Sequence, residues 1–351
     1  MSLEKLTKDL ISIDSVTGSE DQILKFIENY LKDEGYSNNI QVYDGGLVAG
    51  NSNESSVVAL VGHVDTVPIS DEQENINNSE VIYGRGAVDM KSGLAVMIKT
   101  LIDFQDKDII GIFYKGEEGL KEHNGLETLF PEITRKFNVS LGIIFEPTNN
   151  EAQLGCQGVI NAEISIRGIE AHSARPWLGD NAVYKTVPLL QDLNNLEPES
   201  VYVDELEYKE VVSVTNISGG TAKNIIPGEV ICGINYRFAP DKTIKDAVEK
   251  LTNLLSDYGD LSINDTAEAA HPNKSDETVM KFIDSTGVKV EPKQAWTDVA
   301  RFTASGIPAL NFGPGSPELA HKANEHVKIH DLNSSASLIQ QFIKEVTLDN
   351  V

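Results

Sequence analysis

The sequence predicts an α/β protein in two parts: a main domain built on a mostly parallel sheet, and a smaller α+β domain with an antiparallel sheet inserted into it. Three observations carry this. Residues 57–61 (Val-Val-Ala-Leu-Val), 109–113 (Ile-Ile-Gly-Ile-Phe) and 141–145 (Leu-Gly-Ile-Ile-Phe) are short, continuous apolar runs, the pattern of strands covered on both faces. Between 158 and 270 the pattern changes to strict alternation, the pattern of a sheet with one wet face. The length, 351 residues, exceeds what one ordinary core accommodates. The boundaries read as 1–157 and 271–351 for the main, discontinuous domain and 158–270 for the insertion.

Taken in order, residues 3–34 read as helix: Ile23, Phe26, Ile27 and Leu31 follow the 3.6-residue period and Gly35 ends it. The run at 57–61 leads straight into Gly62-His63-Val64-Asp65. Glu72 to Glu80 is polar and Asn-rich, a surface loop. Tyr83-Gly84-Arg85-Gly86-Ala87-Val88-Asp89 turns the chain tightly before an apolar helical stretch from Leu94 to Ile102. Asp89 there has three readings: a helix N-cap, part of a phosphate loop, which its negative charge opposes, or a metal-binding carboxylate. The run at 109–113 leads into Lys115-Gly116-Glu117-Glu118-Gly119, and that at 141–145 into Glu146-Pro147.

In the insertion, Ile160, Ala162, Ile164 and Ile166 alternate with polar residues, as do Val230, Cys232, Ile234, Tyr236 and Phe238. Helices are expected at 180–195, with Pro188 as a flaw, and at 242–256, with Gly259 beyond its end. Residues 308–312 (Pro-Ala-Leu-Asn-Phe) read as one more core strand, leading to Gly313-Pro314-Gly315 and then His321.

Composition narrows the function. A formal charge of −25 argues against non-specific nucleic-acid binding and against an anionic membrane surface. A saline habitat is one account of that charge, and under it stability rises with salt. The N-terminus carries charges where a signal peptide needs an apolar core, and no apolar run reaches the roughly 20 residues that cross a bilayer. Cys156 and Cys232, the 2 cysteines, lack metal-ligand spacing and read as buried thiols in a reducing cytoplasm.

Three apolar strands each carry an acidic residue or a histidine at or just past the C-terminal end, the edge where open α/β sheets place their sites. The set is His63, Asp65, Asp89, Glu117, Glu118, Glu146 and His321. Imidazole mixed with carboxylate suits zinc, or cobalt and manganese as substitutes. Singly, each residue has an ordinary explanation: a hydrogen-bonded core histidine, a solvated Glu-Glu pair, a turn aspartate. Their common position favours the metal.

The segments Gly62-His63-Val64-Asp65-Thr66-Val67-Pro68, Gly84-Arg85-Gly86 with Asp89-Met90-Lys91 and Gly93, Glu117-Glu118-Gly119, Phe145-Glu146-Pro147, and Ala320-His321 through Asn324-Glu325 resemble the co-catalytic zinc family of aminoacylases, glutamate carboxypeptidases, acetylornithine deacetylases and desuccinylases. The resemblance spans nearly the whole chain. Ala171-His172-Ser173-Ala174-Arg175-Pro176-Trp177, residues 296–302 and Gly313-Pro314-Gly315 are most similar to the desuccinylases of actinobacterial type. It implies an α/β/α catalytic domain, a lid that also dimerises, and two Zn2+ ions bridged by Asp89, with His63 and Glu146 on one and Glu118 and His321 on the other. It further implies Asp65 as the orienter of His63, Glu117 as general base, a cis Asp89-Met90 peptide, and His172 as an oxyanion donor reaching across from a partner subunit. Substrate contacts are expected from Arg175, Asn224, Arg237, Thr297, Arg301 and Gly315. The expected substrate is a small N-acyl amino acid, foremost N-succinyl-LL-2,6-diaminopimelate. An acetylornithine, acyl-amino acid or small-peptide substrate is the alternative within the family, and a non-catalytic zinc-stabilised dimeric binding protein the alternative outside it.

Overall fold

The computed structural model describes residues 2–51, 55–69 and 78–346. The chain divides into two compact units, Met1–Leu154 with Asn273–Glu291 and Arg301–Val351, and Gly155–Pro272 with Pro292–Ala300. The 158–270 insertion read from the sequence omitted the short return segment. Residues 292–300 join the second unit because Gln294 bridges the backbone there, accepting from the Lys209 amide at 3.0 Å and donating to the Glu207 carbonyl at 2.6 Å, while Trp296 Nε1 donates to the Glu268 carbonyl at 3.1 Å.

The first unit is organised by an eight-stranded sheet in the order Ile40–Tyr43, Gly46–Ala49, Ile109–Tyr114, Ser56–His63, Asn138–Ile144, Ala309–Asn311, Ala152–Leu154, Val290–Pro292. Its centre is parallel: Ser56–His63 pairs in parallel with both Ile109–Tyr114 and Asn138–Ile144, and Ala309–Asn311 pairs in parallel with the latter. Antiparallel pairing is confined to the flanks, at Gly46–Ala49 and Ala152–Leu154. The expected apolar runs form the central strands, and Ile109–Tyr114 is buried along its whole length. Helix Lys91–Asp103 packs on strands Ser56–His63 and Ile109–Tyr114, and helices Leu3–Ile11 and Ile329–Val346 pack on that helix in turn. The parallel register sets His63 level with Tyr114 and Val61 level with Ile144, so the segments leaving these three strands emerge together at one edge.

The helix expected over 3–34 is two helices, Leu3–Ile11 and Asp21–Asp33. The chain between them runs beside residues 65–66 instead: Thr66 N donates to the Ser15 carbonyl at 3.0 Å and Thr17 N to the Thr66 carbonyl at 3.2 Å. Gly18 turns the chain there at φ +91°. Of the loop read at Glu72 to Glu80, residues 72–77 lie outside the described residues.

The second unit has a five-stranded, wholly antiparallel sheet in the order Glu199–Val203, Leu206–Gly219, Glu229–Phe238, Gly158–Arg167, Asp260–Ala267. Ile160, Ala162, Ile164, Ile166, Val230, Cys232, Ile234, Tyr236 and Phe238 form its core, the period-two residues of the sequence. Helix Ile244–Leu255 opens with a capping box between Thr243 and Asp246. The helix expected at 180–195 is split into Ala182–Lys185 and Val187–Asn194, because Pro188 occupies the first turn of the second piece, where it needs no hydrogen-bonding N–H. Both cysteines are buried free thiols. Among the described residues no helix is long and apolar enough to cross a membrane.

Candidate metal centre

His63 closes the central strand Ser56–His63 and is buried. Its Nδ1 lies 3.0 Å from the carbonyl of Asp65, which can only accept, so Nδ1 carries the proton. In the neutral ring this leaves the lone pair of Nε2 facing Asp89 Oδ1 at 3.1 Å and Glu146 Oε1 at 3.9 Å. Glu146 follows the adjacent parallel strand Asn138–Ile144 and is also buried.

Asp89 does not cap the helix that follows. Met90 holds the N-cap position, without a side-chain hydrogen bond, and the Asp89–Met90 peptide is cis. The Asp89 carboxylate instead points both ways: Oδ1 toward His63 as above, and Oδ2 toward His321 Nε2 at 3.3 Å. His321 Nε2 also lies 2.8 Å from Glu118 Oε1. Two groups of three potential ligands result, His63 with Asp89 and Glu146, and Asp89 with Glu118 and His321, their ligand atoms within 4.8 Å of one another in each. A third such group is His63, Glu117 and Glu118. Converging lone pairs from imidazole and carboxylate, with the His63 tautomer already set, are the chemistry of a borderline-soft divalent cation. The residues fit the metal that the sequence leads one to expect.

The fields agree. Asp89 is buried, which raises a carboxyl, yet His321 and His63 outweigh burial and hold it below the usual range. His321 is pushed up to about 10 by Asp89 and then Glu118. Burial would lower His63, but Asp65 and Asp89 overcome it and raise the ring well above the ordinary value.

Asp65 organises the floor without being among the converging ligands. Its Oδ1 accepts from the Glu117 amide at 3.1 Å, and its Oδ2 from the Glu118 amide at 3.0 Å and the Thr17 hydroxyl at 2.8 Å. Toward His63 the nearer contact is the Asp65 carbonyl, with Oδ1 at 3.4 Å from Nδ1. Glycine is required beside it for close approach: a Cβ on Gly93 would meet the Phe145 carbonyl at 2.5 Å, just before Glu146. Thr17, Arg85, Lys91 and Glu325 support the site and were assigned no role from sequence. Arg85, Lys91 and Glu325 belong to the motifs that carry the family resemblance, which marks their presence but not their purpose. Lys91, lowered to about 8 by burial, ties the loop to the first helix connection through the Ile13 carbonyl at 2.7 Å.

Of the residues expected to touch substrate, Gly315 and Arg301 belong to the first unit. Gly315 takes φ +86°, which glycine alone adopts readily, and its carbonyl accepts from Asn149 N at 2.8 Å. Arg301 pairs with Glu127 at 2.5 Å. In the second unit, His172 and Asn224 meet at a two-stranded ribbon, Ala171–His172 with Ile225–Ile226, where Ser173 N donates to the Asn224 carbonyl at 2.8 Å. His172 accepts from Ala174 N through Nδ1 at 3.0 Å, and Arg175 follows directly, exposed. Arg237 lies on the five-stranded sheet, its Nε donating to Asn235 Oδ1 at 3.0 Å. Thr297 is buried, and its hydroxyl has no partner among the described residues.

Comparison with known proteins decides the family. The model of the peptidase family M20/M25/M40 matches residues 59–345. The chain belongs to this family. A succinyl-diaminopimelate desuccinylase of Corynebacterium glutamicum is 34% identical over 97% of this chain and 95% of its own. Among solved structures, a Staphylococcus aureus tripeptidase has a TM-score of 0.76 at 22% identity, covering 98% of this chain and 97% of its own. A Bacillus subtilis protein described as a dinuclear metal-binding peptidase of family M20 has a TM-score of 0.70 at 16% identity, covering 99% and 98%. M20 enzymes are metal-dependent amide hydrolases, and this chain is one by family and by ligand set.

Proposed function

We propose that the protein hydrolyses N-succinyl-LL-2,6-diaminopimelate to succinate and LL-2,6-diaminopimelate, with two zinc ions held by His63, Asp89 and Glu146 and by Asp89, Glu118 and His321. The observation that carries the two-metal reading is the Asp89 carboxylate, with one oxygen toward His63 and the other toward His321. Bound zinc, or cobalt or manganese in its place, supplies Lewis acidity and brings the ionisation of water toward neutral pH.

The chain's own groups do the rest. Glu117 takes the proton from the attacking water and later delivers it to the departing amine nitrogen. Asp65 acts on the chemistry by position, since it aligns both glutamate amides and the His63 loop. His172, offered from the lid of a partner subunit, donates to the developing oxyanion. Arg175, Asn224, Arg237, Thr297, Arg301 and Gly315 contact the substrate, and the arginines suit its carboxylates through bidentate pairing. The second unit forms the homodimer; Trp177, Leu178, Tyr184 and Val187, each more than half exposed, supply an apolar surface for it. We place the enzyme in the cytoplasm.

The Corynebacterium relative favours the succinyl substrate over a peptide, because it is 34% identical whereas the tripeptidase is 22% identical and speaks for the fold alone. The test is succinate release from N-succinyl-LL-2,6-diaminopimelate by zinc-loaded enzyme, beside N-acetylornithine and a chelated control. Chelator-sensitive succinate release with little acetate supports the proposal. Preferred cleavage of acetylornithine would overturn the substrate, and no cleavage of either would favour a peptide substrate or a binding protein.

A further inference from the structure

Outside the ligand set, one ion pair is both buried and connected to it. Arg85 and Glu325 are 7% and 2% exposed, and Arg85 Nη1 meets Glu325 Oε2 at 2.6 Å. Glu325 Oε1 accepts from the amides of Val88 at 3.0 Å and Asp89 at 3.2 Å. The other guanidinium nitrogen, Nη2, donates to the carbonyl of His321 at 3.3 Å. The two segments are further laced by Gly84 N to the Glu325 carbonyl at 3.1 Å, by Tyr83 Oη to the Ala323 carbonyl at 2.7 Å, and by the antiparallel pairing of Val81–Tyr83 with His326–Lys328.

Apart from the ion pair itself, each of these side-chain bonds reaches the backbone of Asp89 or His321, or of a near neighbour. A buried ion pair is a poor stabiliser in itself, because desolvation offsets its attraction; what it offers is direction. Here the direction matters on one side only. His63 ends a central strand, and Glu146 follows another, with Phe145 N donating to the Val61 carbonyl at 2.9 Å. His321 has no such frame. It sits at φ +65° between the short helix Pro317–Leu319 and strand His326–Lys328, with its side chain 49% exposed.

We infer that Arg85 and Glu325 are positioning residues for the half of the centre formed by Asp89, Glu118 and His321, holding the main chains of Asp89 and His321 at the spacing a shared cation needs. This rests on the two-cation reading. Removing the pair loosens that half most; the other half shares Asp89 but keeps His63 and Glu146 on the frame of the central strands.

The test is Co2+ titration of the metal-free, full-length protein, followed by visible absorption and equilibrium dialysis, in the wild type, Glu325→Gln and Arg85→Lys. The wild type is expected to take up two ions. Glu325→Gln should take the first with the smaller loss, since only its shared ligand Asp89 is loosened, and the second about 10- to 100-fold more weakly, the range seen when groups behind a ligand are removed. Arg85→Lys keeps the charge but loses the fork, so it should weaken the second ion less. If Glu325→Gln lacks a native circular dichroism spectrum, Arg85→Lys and the Arg85→Met, Glu325→Gln double variant decide the matter, with the same selective loss expected. Both ions unchanged, or both weakened equally, in folded variants would overturn the inference alone. A wild type that takes up a single ion would overturn the two-cation reading, and this inference with it.

Discussion

Adjacent on the chain, Glu117 and Glu118 are held by one carboxylate, Asp65, through their two amides. Glu118 completes the group with Asp89 and His321, whereas Glu117 joins only the group around His63. The division of labour proposed for them, Glu117 as base and Glu118 as ligand, can be tested by substitution. Glu117→Gln is expected to retain its metal content and lose about 10^2- to 10^4-fold in turnover, the usual weight of a general base; metal analysis beside steady-state rates checks this, and near-normal turnover would remove Glu117 from the role. At this scale the converging side chains were legible because strand ends in an α/β sheet point to them and because their motifs resemble a known family. Thr17, Arg85 and Glu325 were not, since their part in the site comes from contacts spanning 48 and 240 positions, which no local pattern encodes.

Among elements, the antiparallel sheet of the second unit was readable almost residue by residue, because its alternation reflects one buried face. What misled was helical promise. Residues 12–20 continue a helical pattern, but pairing with residues 65–66 outweighs it and sets Thr17 against Asp65. The same sheet carries a buried charge whose consequence can be read by pH. Glu210 accepts from Tyr236 Oη at 2.7 Å, Ala239 N at 2.8 Å, Lys250 at 2.6 Å and Lys242. Burial pushes its carboxyl up, but Lys242, Lys250 and the other donors outweigh that and hold it below the ordinary 4.5. A folded-state pKa below the unfolded one stabilises above the unfolded value, and that share is lost as pH falls through the folded value. Denaturant midpoints measured from pH 7 downward should therefore decline less steeply in Glu210→Gln than in the wild type below about pH 4.5. Parallel curves would show that this carboxylate contributes nothing to acid lability.

Over the whole molecule, a formal charge of −25 makes self-repulsion a term of its own. Screening shrinks it, with a Debye length falling from about 30 Å at 0.01 M to about 3 Å at 1 M salt. The melting temperature should rise across that range, in metal-loaded and chelated protein alike. A melting temperature indifferent to salt in both forms would show that the negative groups are too dispersed to matter.

The order in which the centre is written along the chain has a consequence for its making. His63, Asp89, Glu118 and Glu146 all precede the second unit, and His321 follows it, as does Ala309–Asn311, the last parallel strand of the sheet. During translation the four earlier side chains leave the ribosome first, and the second unit follows, complete once residues 292–300 have emerged. Only afterwards do His321 and Glu325 arrive to close the first unit. A nascent chain halted near residue 300 would thus hold most of the candidate centre and all of the second unit, yet lack Glu325 against Arg85 and one strand of the central sheet. The candidate centre is complete only once His321 and Glu325 have joined the four side chains that precede the second unit.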